Sequence, residues 1–470
     1  MNAEDKADSR WAAAAAAILL VIYFVVSASA GLHAYFTMDD GGNLLHMHGY
    51  WQHSVLEVLG SAMRVVSGTY RPMGGLFYFT LYKIAGFNPL PFRAVCLTIM
   101  LANVLLAFAL LRRLSGSLVA ASLGAILLVN HPVVLELLYS SGTIYELLCF
   151  FFYLLTLLCY FVWRQDGTLS WRRMAVILIL TGCALDSKEM AMTLPAALLL
   201  IEVFYFPRKD WSWRVVLLTA ALTIPTIAIK VLTKNPLSDD SRYHGHSVQA
   251  TLEALRAYHH FLLYGMLSPD GFSMGALVTL WVLLGSAAIM MRSRPMKFGL
   301  CFLVVALMPV CIIAPRGGYM MYIPLFGWAL YAGSLFQRVC DDFAGGLNSP
   351  RVRAAVTCAA LAATAALIVN THAHVLAPEI ALFRQRQSEV RRVVDRLREA
   401  RPRLPRGASL LLIDDPLDSG YELLFLAQLA YADPTLVVDR LRGSPTGEQL
   451  RHYNLVLRWV PTRGGEWTRE

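Results

Sequence analysis

Long apolar runs recur along most of the chain, and they constrain its fold more than any other feature of the sequence. The first runs from Trp11 to Gly31, and comparable runs follow it, separated by short patches that hold Arg, Lys, Asp or Pro. A helix needs about 20 apolar residues to cross a bilayer. Because 57% of the 470 residues are hydrophobic and only 16% are charged, the chain is too apolar for a soluble protein of this length. The pattern predicts an all-α polytopic membrane protein.

We predict about eleven membrane-spanning helices from these runs. They are placed at 11–31, 91–112, 118–134, 144–163, 173–186, 190–206, 214–232, 271–291, 297–314, 319–338 and 354–371. Lys and Arg concentrate in alternate loops, so the positive-inside rule assigns those loops and the N-terminus to the cytoplasm. The first run is longer than the roughly 7 to 15 apolar residues of a signal peptide, which favours a membrane helix over a cleaved signal.

The predicted topology divides the chain into two domains. Residues 1–371 form the transmembrane domain, with outer loops at 32–90 and 233–270, and residues 372–470 form a small α/β domain on the outer side. Nine arginines at 384–406 oppose this placement of the tail. Long domains are translocated largely regardless of their charge, so we keep the tail outside. Within the transmembrane domain, 73–87 and 252–267 are predicted to be helices at the membrane interface.

The tail pattern also predicts its own elements. They are an amphipathic helix at 380–400, a strand at 409–413, a helix at 419–430 and strands at 435–438 and 454–459.

Several function classes are disfavoured. The net charge of +9 in a membrane protein mainly sets topology and meets anionic lipid headgroups, so membrane lipids are predicted partners and nucleic acid is not. The sequence has no Walker loop and no GxGxxG motif after a strand, which argues against nucleotide-driven transport. Its eight cysteines lie in apolar runs or at their ends without a CxxC pair, so neither a disulfide nor a zinc site is predicted.

Acidic residues at the outer membrane boundary are the first candidates for chemistry. Asp39 and Asp40 follow the first helix, and a carboxylate there could take a proton from an acceptor hydroxyl. Alternatively, Asp39 caps a helix that begins at Asn43 and Asp40 is solvated. Glu146 begins an apolar helix, where a negative charge is also favourable on electrostatic grounds alone. His131 and Glu136 precede it as supporting residues.

Lone cations occupy the same predicted side. Arg71 directly precedes an embedded segment and could bind a lipid phosphate, or its side chain could simply reach the headgroups. Lys188 lies beside Glu189 in a short turn between two apolar helices. It could bind the phosphate, or it could form an ion pair with Glu189. Arg316 lies in a short outer loop before Tyr319 and Tyr322. Acids and cations on one membrane face fit transfer from an anionic lipid-phosphate donor to a hydroxyl.

The order of these motifs resembles the GT-C glycosyltransferases, among them the protein O-mannosyltransferases and the lipid A aminoarabinose transferases. The resemblance covers about residues 11 to 340. It implies a polyprenyl-phosphate sugar donor and inverting displacement at the anomeric carbon. With the predicted topology, we expect transfer to a glycan, lipid or protein acceptor at the extracytoplasmic face of a bacterial inner membrane. The resemblance further implies that Asp39 or Asp40 and Glu146 are catalytic, and that Arg71, Lys188 and Arg316 face the phosphate.

This sequence departs from the family pattern in having Glu146 where many relatives have Asp, and in lacking tetratricopeptide repeats. The departures leave open the acceptor and whether a divalent cation takes part. Two other functions remain as alternatives: a flippase or transporter of lipid-linked sugars, and a polymerase or ligase of surface polysaccharide. A transporter predicts charged or broken helices near mid-bilayer, whereas these polar residues cluster at one face.

Overall fold

The structure is a computed structural model of the chain. It describes residues 3–48, 57, 71–167, 169–232, 248–263, 273–311, 317–345, 349–400, 403–417, 420–433, 435–461 and 465–469. Most of these residues are helical. The α-helices are α1 (Ala3–Ala28), α2 (Met38–His48), α3 (Pro72–Ala85), α4 (Pro89–Ser115), α5 (Leu118–Asn130), α6 (Leu135–Tyr139), α7 (Ile144–Gln165), α8 (Trp171–Leu185), α9 (Leu194–Tyr205), α10 (Trp213–Leu232), α11 (Val248–Leu263), α12 (Met274–Met290), α13 (Arg294–Leu307), α14 (Tyr322–Gly345), α15 (Pro350–Thr371), α16 (Ala377–Ala400), α17 (Gly420–Ala430) and α18 (Gly447–Arg451).

The prediction of about eleven membrane spans is too high for the part of the chain that the structure describes. Helices lie at all eleven predicted positions, but only four are long and apolar enough to cross a membrane. These are Arg10–His33, Pro89–Ser115, Ile144–Gln165 and Cys358–Ala400. A fifth is counted if Leu118–Asn130 and Pro132–Tyr139, which meet at a bend of 54°, form one broken span.

A polar turn explains why two of the other predicted spans fall short. The turn around Lys188 separates α8, which has 15 residues, from α9, which has 12. At 1.5 Å per residue, these helices are roughly 18 to 23 Å long, less than the roughly 30 Å of the hydrocarbon core. The chain is therefore a multi-pass membrane protein in which full-length and shorter apolar helices pack together.

Small residues bring the central helices close together. A Cβ added at Gly299 of α13 would lie 2.7 Å from the carbonyl oxygen of Gly327 in α14. Small residues at such crossings are typical of helix packing in membranes, where van der Waals contact supplies much of the association energy. The buried core includes Phe302, Leu325 and Phe326 from these two helices, together with residues of α4, α5 and α7.

Two helices occupy segments predicted to lie at the membrane interface. The segment predicted at 73–87 is α3, which begins at Pro72, and the one predicted at 252–267 is α11. Pro72 occupies the first helical position. The backbone N–H at that position has no partner within the helix, so the N–H that proline lacks is not needed there. Gly86, with φ of 57°, ends α3 in a conformation that an L side chain rarely adopts.

The C-terminal segment forms a small α/β unit. Its strands are β1 (Ser409–Ile413), β2 (Val437–Leu441), β3 (Leu455–Val460) and β4 (Glu466–Arg469). The order is β2–β1–β3–β4; the first three are parallel, and β4 runs antiparallel to β3. Helix α16 covers the sheet, and the Trp467 indole N–H donates to the carbonyl oxygen of Val393 at 3.2 Å.

The predicted tail elements correspond closely to those observed, but β4 and α18 were not predicted. Each has only four or five residues with a single large apolar side chain, so neither gives a clear periodic signal. The predicted boundary at 371 falls inside a helical run, because a π-helical turn at His372–Leu376 joins α15 to α16.

Candidate active site

The two adjacent carboxylates at the start of α2 have different environments. Asp40 is completely buried. Its carboxylate accepts hydrogen bonds from the backbone N–H of Thr37 at 2.8 Å and from the Thr37 hydroxyl at 2.9 Å. Since α2 begins at Met38, Asp40 caps its start by accepting from the backbone N–H of Thr37, the residue before the helix, which is one half of a capping box. The Tyr78 hydroxyl adds a third hydrogen bond at 2.8 Å.

Burial shifts the pKa of this capping carboxyl. It raises the pKa of Asp40 above its ordinary value, while the hydrogen bonds from Thr37 and Tyr78 oppose that rise. Burial, followed by the nearby charge of Asp40, also raises the pKa of Tyr78 well above its ordinary value. The pair is therefore a structural anchor that fixes α2 on α3.

Asp39 is exposed and rests on the loop that precedes α7. A Cβ added at Gly142 would lie 2.6 Å from Cβ of Asp39 and 3.5 Å from its Oδ2. The Asn43 amide donates to the backbone carbonyl of Asp39 at 2.7 Å. The alternative prediction, with Asp39 capping a helix from Asn43 and Asp40 solvated, is wrong because α2 begins five residues earlier and Asp40 supplies the cap.

A buried arginine that the sequence analysis did not identify holds this loop in place. Arg93 of α4 is completely buried and donates to the carbonyl oxygens of Gly31, at 3.0 Å, and Leu138. It also contacts the Ser141 hydroxyl at 3.4 Å. These bonds tie the end of α1 to the loop containing Gly142. The signal was present in the sequence as a lone Arg inside an apolar run, a pattern that marks functional or structural sites.

Tyr145 joins three helices beside Asp39. Its ring lies so close to Gly74 of α3 that a Cβ there would overlap it. Its hydroxyl donates to the Asn43 side-chain oxygen at 2.7 Å, and the Arg71 guanidinium lies over its ring at 5.4 Å. Tyr145 therefore links α2, α3 and α7 and places Arg71 near the acids.

Both predicted cations that the structure describes are held by carboxylates. Arg71 makes a bidentate pair with Glu189 through Nε and Nη2, at 3.1 and 2.8 Å. Burial lowers the pKa of Arg71, but the Glu189 carboxylate outweighs that effect and the net shift is upward. The Lys188 ammonium pairs with Glu146, and each side chain is only 8% exposed. A buried pair of this kind needs both partners, because removing one leaves an uncompensated charge.

Glu136 completes the cluster. A Cβ at Gly317 would lie 2.6 Å from its Oε2, and its electrostatic neighbours are Glu146, Asp39 and Lys188. The Tyr319 ring lies 5.2 Å from the Lys188 ammonium. Acids and cations from segments more than 100 residues apart therefore converge on one site.

Two other predicted site residues are buried in structural contacts. The His131 ring is buried and caps the turn Pro132–Val134 by accepting from the Val133 N–H at 3.3 Å. Tyr322 is buried against Phe150, at 4.4 Å between ring centroids. Arg316 lies outside the described residues, as do the loop residues 233–247.

Carboxylates outnumber cations in the described part of the site. It contains two cations, Arg71 and Lys188, and four carboxylates, those of Asp39, Glu136, Glu146 and Glu189. Within the described ranges, no group of three or more His, Cys, Asp or Glu side chains is arranged to hold a metal ion.

Comparison with known proteins gives no match by sequence but clear matches by structure. No family model and no curated protein matches the sequence. The structure of ArnT from Cupriavidus metallidurans bound to undecaprenyl phosphate matches with a TM-score of 0.55 at 13% identity, over 93% of this chain and 87% of that one. The chain has the GT-C fold. Its likeness extends to the archaeal oligosaccharyltransferase AglB from Archaeoglobus fulgidus, in complex with an inhibitory peptide and a dolichol-phosphate, with a TM-score of 0.51, 12% identity and coverage of 92% and 65%.

The GT-C fold covers nearly the whole chain and includes the C-terminal unit, which the predicted resemblance left out. ArnT in its apo state matches over 95% of this chain, with a TM-score of 0.54. The predicted resemblance is confirmed at the level of fold. Both neighbours are GT-C glycosyltransferases, and the structures of both contain a polyprenyl-type lipid phosphate.

Proposed function

We propose that this GT-C protein transfers a sugar from a polyprenyl-phosphate donor to a hydroxyl acceptor, by inverting displacement at the extracytoplasmic face of a bacterial inner membrane. The observation that carries the proposal is the convergence of the exposed Asp39 with the Arg71–Glu189 and Lys188–Glu146 pairs. The lipid phosphates bound to ArnT and AglB support the donor class.

Asp39 is the proposed general base. It is exposed, whereas Asp40 is buried and caps the start of α2. The acceptor hydroxyl loses its proton to Asp39 as its oxygen bonds to the anomeric carbon. The bond from that carbon to the phosphate oxygen breaks, so the polyprenyl phosphate leaves as an anion. A positioned base of this kind typically contributes 10²- to 10⁴-fold.

Arg71 and Lys188 are the proposed ligands of the leaving phosphate. The Arg71 pair with Glu189 uses Nε and Nη2, and a guanidinium carries five N–H groups in all, so its Nη1 edge can serve the phosphate. Glu146 orients the Lys188 ammonium, and the Tyr319 ring bounds it on a second side. In this mechanism Glu146 acts through Lys188 rather than as a second base.

The test is a transfer assay with purified full-length protein in liposomes. The donors are a panel of radiolabelled polyprenyl-phosphate sugars, and membrane extracts supply the acceptors. The measured quantity is the radiolabel that appears in any product other than the donor. We expect Asp39→Asn to lower kcat by about 10²-fold or more. The double variant Lys188→Met/Glu146→Gln should raise the KM for the donor.

The matched control is Asp166→Asn. Asp166 is 56% exposed and follows α7 at the end opposite Glu146, about 30 Å away along the helix. It should leave the rate unchanged. Transfer by Asp39→Asn at the wild-type rate would show that the base is assigned wrongly. Movement of label across the bilayer without transfer to an acceptor would indicate the flippase alternative instead.

A further inference from the structure

The C-terminal α/β unit contacts the helix that carries Asp39. Phe425 of α17 lies against two consecutive glycines of α2: a Cβ added at Gly41 would be 3.2 Å from Cβ of Phe425, and one at Gly42 would be 3.5 Å from Cε2 of its ring. The first distance is tighter than ordinary van der Waals contact, so the aromatic side chain packs directly on the α2 backbone.

The glycines themselves point to a requirement for this contact. Each glycine inside a helix costs about 1 kcal/mol relative to alanine, and α2 places two in its second turn. Any larger residue at Gly41 would push Phe425 away from the helix. The Gly41–Gly42 pair is therefore explained by the close approach of α17.

Phe425 and Gly142 contact α2 on different sides. At 100° per residue, Asp39 and Gly41 are separated by about 200° around the helix axis. Cβ of Asp39 packs on Gly142, while Gly41 packs on Phe425. The first two turns of α2 are thus held between the loop of the transmembrane domain and the C-terminal unit.

The C-terminal unit is fixed to the same surface by independent contacts. The Gln387 side-chain amide of α16 donates to the carbonyl oxygen of Tyr139 at 2.7 Å, and the rings of Phe383 and Tyr139 stack at 6.1 Å. The Arg398 guanidinium lies over the Phe87 ring at 5.1 Å. These contacts define where α17 lies, and so where the Phe425 ring meets α2.

We infer that Phe425 is a positioning residue that holds Asp39 at the distance and angle needed to accept the proton of the acceptor hydroxyl. The inference rests on the proposed function, because it assigns Asp39 the role of base. Removing the ring frees one side of α2 without touching Arg71 or Lys188. The chemical step therefore slows while binding of the donor phosphate is kept.

The contact is tested first, without reference to activity. The double variant Gly41→Cys/Phe425→Cys places two thiols on Cβ positions about as close as disulfide geometry requires. Mild oxidation of the full-length protein in liposomes should form a cross-link, detected as a mobility shift that a reductant reverses. The controls are Gly41→Cys and Phe425→Cys made singly. Each adds one thiol to the eight native cysteines and should show no mobility shift. Absence of the cross-link would overturn the contact.

The role is tested by separating kcat from KM. Phe425→Ala should lower kcat by about tenfold or more, because a displacement of about 1 Å at a catalytic group costs up to about 10²-fold in rate. The KM for the donor should change by less than about twofold. Phe425→Leu restores apolar volume and should recover most of kcat. Val437→Ala, an exposed residue on β2 of the same unit, should match wild type.

The outcomes separate the inference from the proposed function. Wild-type kcat for Phe425→Ala, or a donor KM that rises as much as kcat falls, would overturn the positioning role. If wild type transfers no sugar from any donor while the cross-link forms, the proposed function fails and Phe425 retains only its structural contact.

Discussion

At the scale of single residues, the site shows how neighbouring side chains of one type take different roles. Asp39 and Asp40 differ by one position, which rotates the second carboxylate about 100° around α2. That rotation buries Asp40 under Tyr78 and leaves Asp39 exposed over Gly142. The local backbone, through the start of α2 at Met38, decides which acid is available to a substrate.

Gly142 gives a direct test at this scale. We predict that Gly142→Ala lowers transfer activity by about tenfold or more, because the new methyl group would lie 2.6 Å from Cβ of Asp39 and must displace it. The measurement is kcat in the liposome assay, together with thermal stability. Gly182→Ala is the matched control, since a Cβ there has nothing within 4 Å, and it should keep wild-type activity. Normal kcat in Gly142→Ala would contradict the placement of Asp39.

At the scale of elements, the small sheet explains a second pair of acids. Asp414 and Asp415 directly follow β1. In the structure, Asp415 is fully buried and accepts from Arg440 Nε at 2.6 Å, while Asp414 pairs with Arg458 and accepts from the Gly443 N–H at 2.7 Å. The loop after β1 is thereby tied to the ends of β2 and β3.

We predict that Asp415→Asn destabilises the C-terminal unit by about 2 to 4 kcal/mol, because it leaves the Arg440 guanidinium partly buried without a counter-charge. Hydrogen exchange of β1 and β2 amides in the full-length protein measures the change as local opening. Asp439→Asn is the control: Asp439 is exposed and accepts from the Tyr453 hydroxyl at 2.8 Å, so the effect should stay below about 1 kcal/mol. Equal protection in both variants would refute a structural role for Asp415.

At the scale of the whole molecule, the contact between Phe425 and Gly41 places the C-terminal unit at the same end of the helices as the candidate site. The tail and the acids of the site must therefore lie on the same side of the membrane. The positive-inside rule favours the outside for the loops of the site, while the nine arginines at 384–406 favour the cytoplasm for the tail.

A reporter fused after Arg406 tests this orientation. We predict activity from a reporter that functions only outside the cytoplasm and none from one that functions only inside it. A fusion after Arg208, in a loop predicted to be cytoplasmic, should give the reverse pattern. Cytoplasmic activity after Arg406 would place both the tail and the site on the inner side and contradict the proposed face of transfer.

The sequence by itself determined the class of the protein, because apolar run length depends only on local composition and on the thickness of the bilayer. It also determined the order of most of its helices and strands, and the candidate residues Asp39, Arg71, Glu146 and Lys188, since charges next to apolar runs are visible without a fold. Only the tertiary structure decided that Asp40 is buried under Tyr78, and that Arg93, Gly142 and Phe425 support the site. Those roles arise from contacts between segments 38 to nearly 400 residues apart, which no local pattern encodes.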